Sequence, residues 1–129
     1  MIYLDSCVVI YAAEDQSERG DAVRRKLAEL GDEHLAISPL VMFECLVGPL
    51  RDENTLLADR YERLFDRFRV LDIDGHAYRR AAAIRARHAV RTPDALHVAT
   101  AQLGGCRELW TNDTRLTRQT HGFAIAVVS

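Results

Sequence analysis

The sequence predicts an α/β fold, with a central parallel sheet of four to five strands flanked by helices on both faces. Two observations carry this expectation. Short, β-rich apolar runs alternate along the chain with longer segments of helical period, the order that sets parallel strands between layers of helix. The first run, Ile2-Tyr3-Leu4, is apolar without alternation, as a strand buried on both faces must be, and passes at once to the charged Asp5. With 129 residues there is room for one core and not for two, so residues 1–129 are expected to form a single domain.

Composition narrows the function classes. A hydrophobic share of 48% against 28% charged residues is that of a soluble globular protein, and no run approaches a membrane span. Asp5 interrupts the apolar start too early for a secretory leader, so the expectation is a cytoplasmic protein with no membrane contact. Cys7, Cys45 and Cys106 are odd in number and lack C-x-x-C spacing, which argues against a disulfide framework and a zinc cage. A net charge of -2 makes no general case for nucleic acid. Of the 17 basic residues, however, only Lys26 is lysine and the other 16 are Arg, the side chain that meets phosphate bidentately. GC-rich codon usage gives the same excess.

Taken in order, Asp5 or Ser6 can cap a short apolar helix over Cys7 to Ala13. Val23, Leu27 and Leu30 then fall at helical spacing until Gly31 ends the helix, and Leu35-Ala36-Ile37 forms a second strand. Ser38-Pro39 is a strong helix start, cap followed by proline. The helix it opens is expected to present Leu40, Phe43 and Val47 as its apolar stripe, with Glu44 on the same stripe. A carboxylate there either reaches water at the edge or needs a cation or hydrogen bonds. Leu57, Tyr61, Leu64, Phe65 and Phe68 make a clear amphipathic helix. Arg69 to Ile73 reads as a third, more exposed strand, with Asp72 and Asp74 on either side of its last residue.

Asp74 is expected to cap the next helix, where Ala77, Ala81, Ile84 and His88 repeat and Arg79, Arg80, Arg85, Arg87 and Arg91 crowd. This basic run leads into Thr92-Pro93-Asp94, with Thr92 as cap and Asp94 in a first turn that favours negative charge. His97 reads as a packed or partly exposed histidine rather than a metal ligand, for no second His stands at ligand spacing. Gly104-Gly105 ends that helix. A fourth strand, Glu108 to Thr111, runs into Asn112-Asp113, where Asp113 can cap the turn holding Leu116. Ala124 to Val128 is the fifth strand.

Right-handed crossovers in such a sheet bring Asp5 and Asp113 to one edge of the layer, with the helix starts bearing Glu44 and Asp94 beside them. One shared site then explains four acids better than four separate caps. Two carboxylates about 4 Å apart repel by roughly 4 kcal/mol at an effective dielectric near 20, and a divalent cation removes that cost. Hard oxygen donors select Mg²⁺ or Mn²⁺ over zinc, and such ions activate water and stabilise the leaving oxygen of a phosphodiester.

With these residues assembled, the chain resembles a PIN-domain ribonuclease, specifically the VapC-type toxin of a bacterial VapBC toxin-antitoxin pair. The likeness rests on Tyr3-Leu4-Asp5-Ser6, on Ser38-Pro39 leading to Glu44, on the run from Thr92 through Ala101, and on Thr111-Asn112-Asp113, and it covers nearly the whole length. It implies a single PIN domain over residues 1–129 and a Mg²⁺- or Mn²⁺-dependent endoribonuclease that inhibits translation and growth. A cognate small antitoxin would neutralise it, and two copies would pair as a homodimer. By analogy Asp5, Glu44, Asp94 and Asp113 are the catalytic and metal-holding quartet, with Ser6, Thr111 and Asn112 as polar helpers. Cys7 stands where a small polar residue is frequent, and Leu116 where an aromatic is common.

Arg87 and Arg91 are expected to meet the RNA backbone beside the acidic pocket. Two rival readings differ in kind. Phosphatase or phosphorelay chemistry would use Asp5 as phosphoacceptor, but the second acid two residues on is lacking. A non-catalytic PIN-like binding module would hold a basic partner segment in the same pocket.

Overall fold

The computed structural model describes residues 1–127. Its five strands are β1 (Ile2–Leu4), β2 (Leu35–Ile37), β3 (Arg69–Val70), β4 (Glu108–Thr111) and β5 (Ala124–Ala126). Its helices are α1 (Ser6–Glu14), α2 (Glu18–Leu30), α3 (Pro39–Arg51), α4 (Thr55–Phe65), α5 (Gly75–Arg87), α6 (Thr92–Leu103) and α7 (Thr114–Gln119). The strands form one sheet in the order β3-β2-β1-β4-β5, and every pairing is parallel. The α/β class and parallel sheet are thus as expected from sequence.

The order places a topological switch point between β1 and β4. From β1 the chain winds outward through β2 to β3, then returns to the other side of β1 and winds outward again through β4 to β5. Ligand sites of open α/β sheets lie beyond the carboxyl ends of the strands at such a point. Leu4 pairs with Trp110, and the Asp5 amide donates to the Trp110 carbonyl at 3.0 Å, so the residues leaving β1 and β4 emerge side by side. Ile2, Tyr3, Leu4, Leu35, Ala36, Ile37 and Leu109 are all buried, which fixes the sheet as the centre of the core.

Several expectations are corrected. The core face of α3 is Val41, Cys45 and Pro49, while Phe43, Val47 and Leu50 are 65%, 46% and 64% exposed. Helix α3 is apolar on more than one side, so periodicity alone fits either face. Ser38 caps it as expected, its Oγ accepting from the Val41 amide at 3.4 Å. Thr92 does not cap α6: Arg91 occupies the cap position without a side-chain capping bond, and Thr92 Oγ1 instead accepts from Arg85 Nη1 at 2.9 Å. Strand β3 is shorter than the Arg69 to Ile73 run expected, because it lies at the sheet edge with a single partner strand. Val128, the expected end of β5, lies outside the described residues.

A helix stands where a turn was expected. β4 and β5 are parallel neighbours, and parallel strands need a crossover of about a dozen residues. Helix α7 supplies it, anchored by the buried Leu116 alone, and one apolar residue gives no readable period.

Candidate active site

Asp5 follows β1 and caps α1, its Oδ1 accepting from the Ser6 amide at 2.7 Å. The Ser6 hydroxyl lies 3.4 Å from the same oxygen. The other oxygen, Oδ2, accepts from Thr111 Oγ1 at 2.9 Å, a bond that ties the ends of β1 and β4 together. Asp5 is 9% exposed, so its carboxylate is held by donors from two elements with little water around it. Capping and site roles coincide in one side chain.

Glu44 reaches the same place from the second turn of α3. His97, in the middle of α6 and 1% exposed, lies with Nε2 2.6 Å from Glu44 Oε1 and 3.7 Å from Asp5 Oδ1. One ligand atom from each of Asp5, Glu44 and His97 falls within 4.8 Å of the others. The sequence expectation for His97 was a packed or partly exposed residue rather than a metal ligand; the ring is packed, and it faces both acids.

Asp94 stands in the first turn of α6, which leads into β4 and therefore begins at the carboxyl end of the sheet. Burial pushes its carboxyl above the ordinary carboxylate value; Arg91 works against that shift, and the charge of Asp5 adds to it. The acid is thus within the field of Asp5 while its Oδ2 accepts from Arg91 Nε at 3.2 Å.

Asp113 is engaged differently. Its Oδ1 caps α7 by accepting from the Arg115 and Leu116 amides at 2.9 and 3.4 Å, and Arg115 Nε lies 3.6 Å away. Its own amide donates to Thr111 Oγ1 at 3.3 Å, so Asp113 joins Asp5 through one hydroxyl. Asn112 is exposed beyond β4. The structure therefore gathers Asp5 and Glu44 with His97, sets Asp94 beside them electrostatically, and links Asp113 through Thr111.

The basic run on α5 does not lie wholly beside this pocket. Arg85 bonds the Val90 carbonyl and Thr92 at the start of α6, but Arg80 bonds Gln102 at its far end. Arg87 shares a surface cleft with Arg80, Ile84, His88 and Gln102, and Gln102 lies about two turns along α6 from Asp94. Arg91 alone of the two proposed phosphate contacts touches the acids.

Oxygen donors converging at a buried switch point are the chemistry a hard divalent ion requires. The family model for the PIN domain matches residues 2–121. The chain belongs to the PIN-domain family. A toxin-antitoxin complex from Klebsiella pneumoniae shares this PIN domain's fold with a TM-score of 0.83 and 22% identity, covering 100% of this chain and 99% of that one. VapC20 of Mycobacterium tuberculosis, described as a toxin that cleaves the sarcin-ricin loop, aligns at TM-score 0.79 and 19% identity over 100% of both chains. DNA-bound VapBC from Salmonella typhimurium aligns at 0.74 and 25% identity over 96% of this chain and 95% of that one. The sequence matches none of the curated proteins. Among the described residues of this PIN domain, no helix is long and apolar enough to cross a membrane.

Proposed function

We propose that this single PIN domain is a Mg²⁺- or Mn²⁺-dependent endoribonuclease, the toxin of a type II toxin-antitoxin pair acting on cytoplasmic RNA. A cognate antitoxin would silence it by covering the acidic pocket, and two copies would form a homodimer. The observation that carries this reading is the convergence of Asp5 and Glu44, within 4.8 Å together with His97, at the switch point of the sheet. The RNA-cleaving description of VapC20 and the antitoxin complexes among the structural relatives support it.

The donor set fits a divalent ion. Asp5, Glu44, Asp94 and Asp113 would hold it, and when bound it supplies charge neutralisation and activation of water for phosphodiester hydrolysis. The protein's own groups do the rest. Ser6 and Thr111 fix both oxygens of Asp5, so its orientation is set before any ligand arrives. Arg91, with a side chain 74% exposed, is free to leave Asp94 for a substrate phosphate, and Arg87 extends the basic surface along α5.

The test is Asp94→Asn, which keeps the side-chain shape and removes its charge. Cleavage of RNA in Mg²⁺ should fall by about two orders of magnitude or more, matching the several kcal/mol a metal ion supplies to the transition state. Equal cleavage by variant and parent refutes the assignment. A second reading, the non-catalytic module holding a basic partner segment, is favoured by the guanidinium groups already seated on Asp94 and Asp113. That module would bind such a peptide, cleave nothing, and show no Mn²⁺-induced shift in melting.

A further inference from the structure

Behind the acids runs a line of buried polar groups. Tyr3 Oη lies 2.7 Å from Ser38 Oγ and 2.7 Å from His97 Nδ1, and His97 Nε2 lies 2.6 Å from Glu44 Oε1. Tyr3, Ser38 and His97 are each at most 1% exposed, and they come from β1, the cap of α3 and the middle of α6. Polar groups this deep are tolerated only when each finds a partner, and each of these does.

The direction of the protons follows from the two ends. At one end the Val41 amide donates to Ser38 Oγ, which leaves the serine hydroxyl free to donate to Tyr3. The Tyr3 hydroxyl, fully buried and receiving the serine hydrogen, passes its own hydrogen on to His97 Nδ1. At the other end Glu44, as a carboxylate, only accepts. The imidazole hydrogen therefore sits on Nε2 and is donated to Glu44. The reverse arrangement sets a nitrogen lone pair against a carboxylate oxygen at 2.6 Å.

We infer that His97 is a positioning residue, its Nε2–H aiming the Glu44 carboxylate at Asp5 while Tyr3 and Ser38 lock the ring against rotation. The inference rests on the metal-dependent reading of the site. It distinguishes this role from that of a nitrogen ligand, for which the clustering of Nε2 with the two acids also leaves room. Partners that orient a metal-holding side chain typically change affinity by about 10–100-fold when removed.

The experiment is Mn²⁺ titration of the full chain, read by the electron paramagnetic resonance of free Mn²⁺, with pulsed detection of directly bound ¹⁴N. The parent should bind Mn²⁺ without a coordinated nitrogen. His97→Leu should weaken binding by about 10–100-fold, and His97→Gln, which restores a donor near the Nε2 position, should recover most of it. Tyr3→Phe keeps the ring and frees His97 to turn, so it should show a smaller loss and serves if His97→Leu does not fold. A strong ¹⁴N coupling in the parent, or parental affinity in both His97→Leu and Tyr3→Phe, overturns this inference alone. A parent that binds no Mn²⁺ overturns the metal-dependent reading with it.

Discussion

Cys7 shows how the site acts on a single residue. Its thiol packs 3.9 Å from Thr111 Oγ1, and burial, followed by the charge of Asp5, raises it from about 9 to about 12. The folded state holds this proton more tightly than the unfolded chain. The associated stability is therefore complete below about pH 9 and is lost as pH rises toward 12. The thiolate is the reactive form, and three pH units leave roughly a thousandth of the ordinary thiolate fraction. Iodoacetamide at pH 8 should leave Cys7 unmodified in the native protein and label it readily in urea, with mass spectrometry as the readout. Native labelling at the unfolded rate would remove Cys7 from the interior. At this same scale, Asp5 and Asp94 were legible because a strand end and a helix start announce themselves locally. The bond between Tyr3 and His97 spans 94 positions and has no local signal. Along the buried face of α6 beyond Asp94 the polar residues are His97 and Thr100, and only His97 meets the acids.

Helix α3 carries the clearest disagreement between pattern and structure, and its faces can be separated by mutation. Val41 is fully buried against the core, whereas Val47 is 46% exposed. Val41→Ala removes two buried carbons and leaves a small cavity, for a loss of about 2 kcal/mol. Val47→Ala should change stability by no more than about 0.5 kcal/mol. Urea unfolding of the two variants ranks them directly, and the opposite order would restore the Leu40, Phe43 and Val47 face to the core. Period analysis selects a face only when the other is polar; the buried face of α4 was read correctly for that reason, with Arg60 and Arg63 exposed away from Tyr61 and Phe65, although the helix ends at Phe65 and leaves Phe68 beyond it. Helix α7 failed the opposite condition, having a single buried residue to mark it. What required it was a topological constraint, the parallel pairing of β4 with β5, which no residue encodes by itself.

For the molecule as a whole, the proposed metal-dependent reading has the acids at the switch point give up stability for ion binding. Asp94 is held above the ordinary carboxylate value chiefly by burial, with Asp5 adding and Arg91 opposing. A carboxyl raised in the folded state stabilises the fold below its unfolded value, near 4, and loses that contribution as pH rises through the folded value. At neutral pH the ionised Asp94 is consequently a cost to the empty protein. Its partner Arg91 offsets little, because an ion pair with one side chain 74% exposed is worth at most about 1 kcal/mol. Asp94→Asn removes the cost, so without divalent ions the variant should melt at or above the parent near pH 7, and the advantage should vanish as pH falls toward 4. Mn²⁺ at about a hundred times its dissociation constant adds some 2.7 kcal/mol to the parent, roughly 10 °C for a chain of this size. The variant, one ligand short on the proposed reading, should gain far less. Differential scanning calorimetry with and without Mn²⁺ at two pH values reads all four states, and a variant that melts well below the parent without metal yet rises equally with it would assign Asp94 to scaffolding alone.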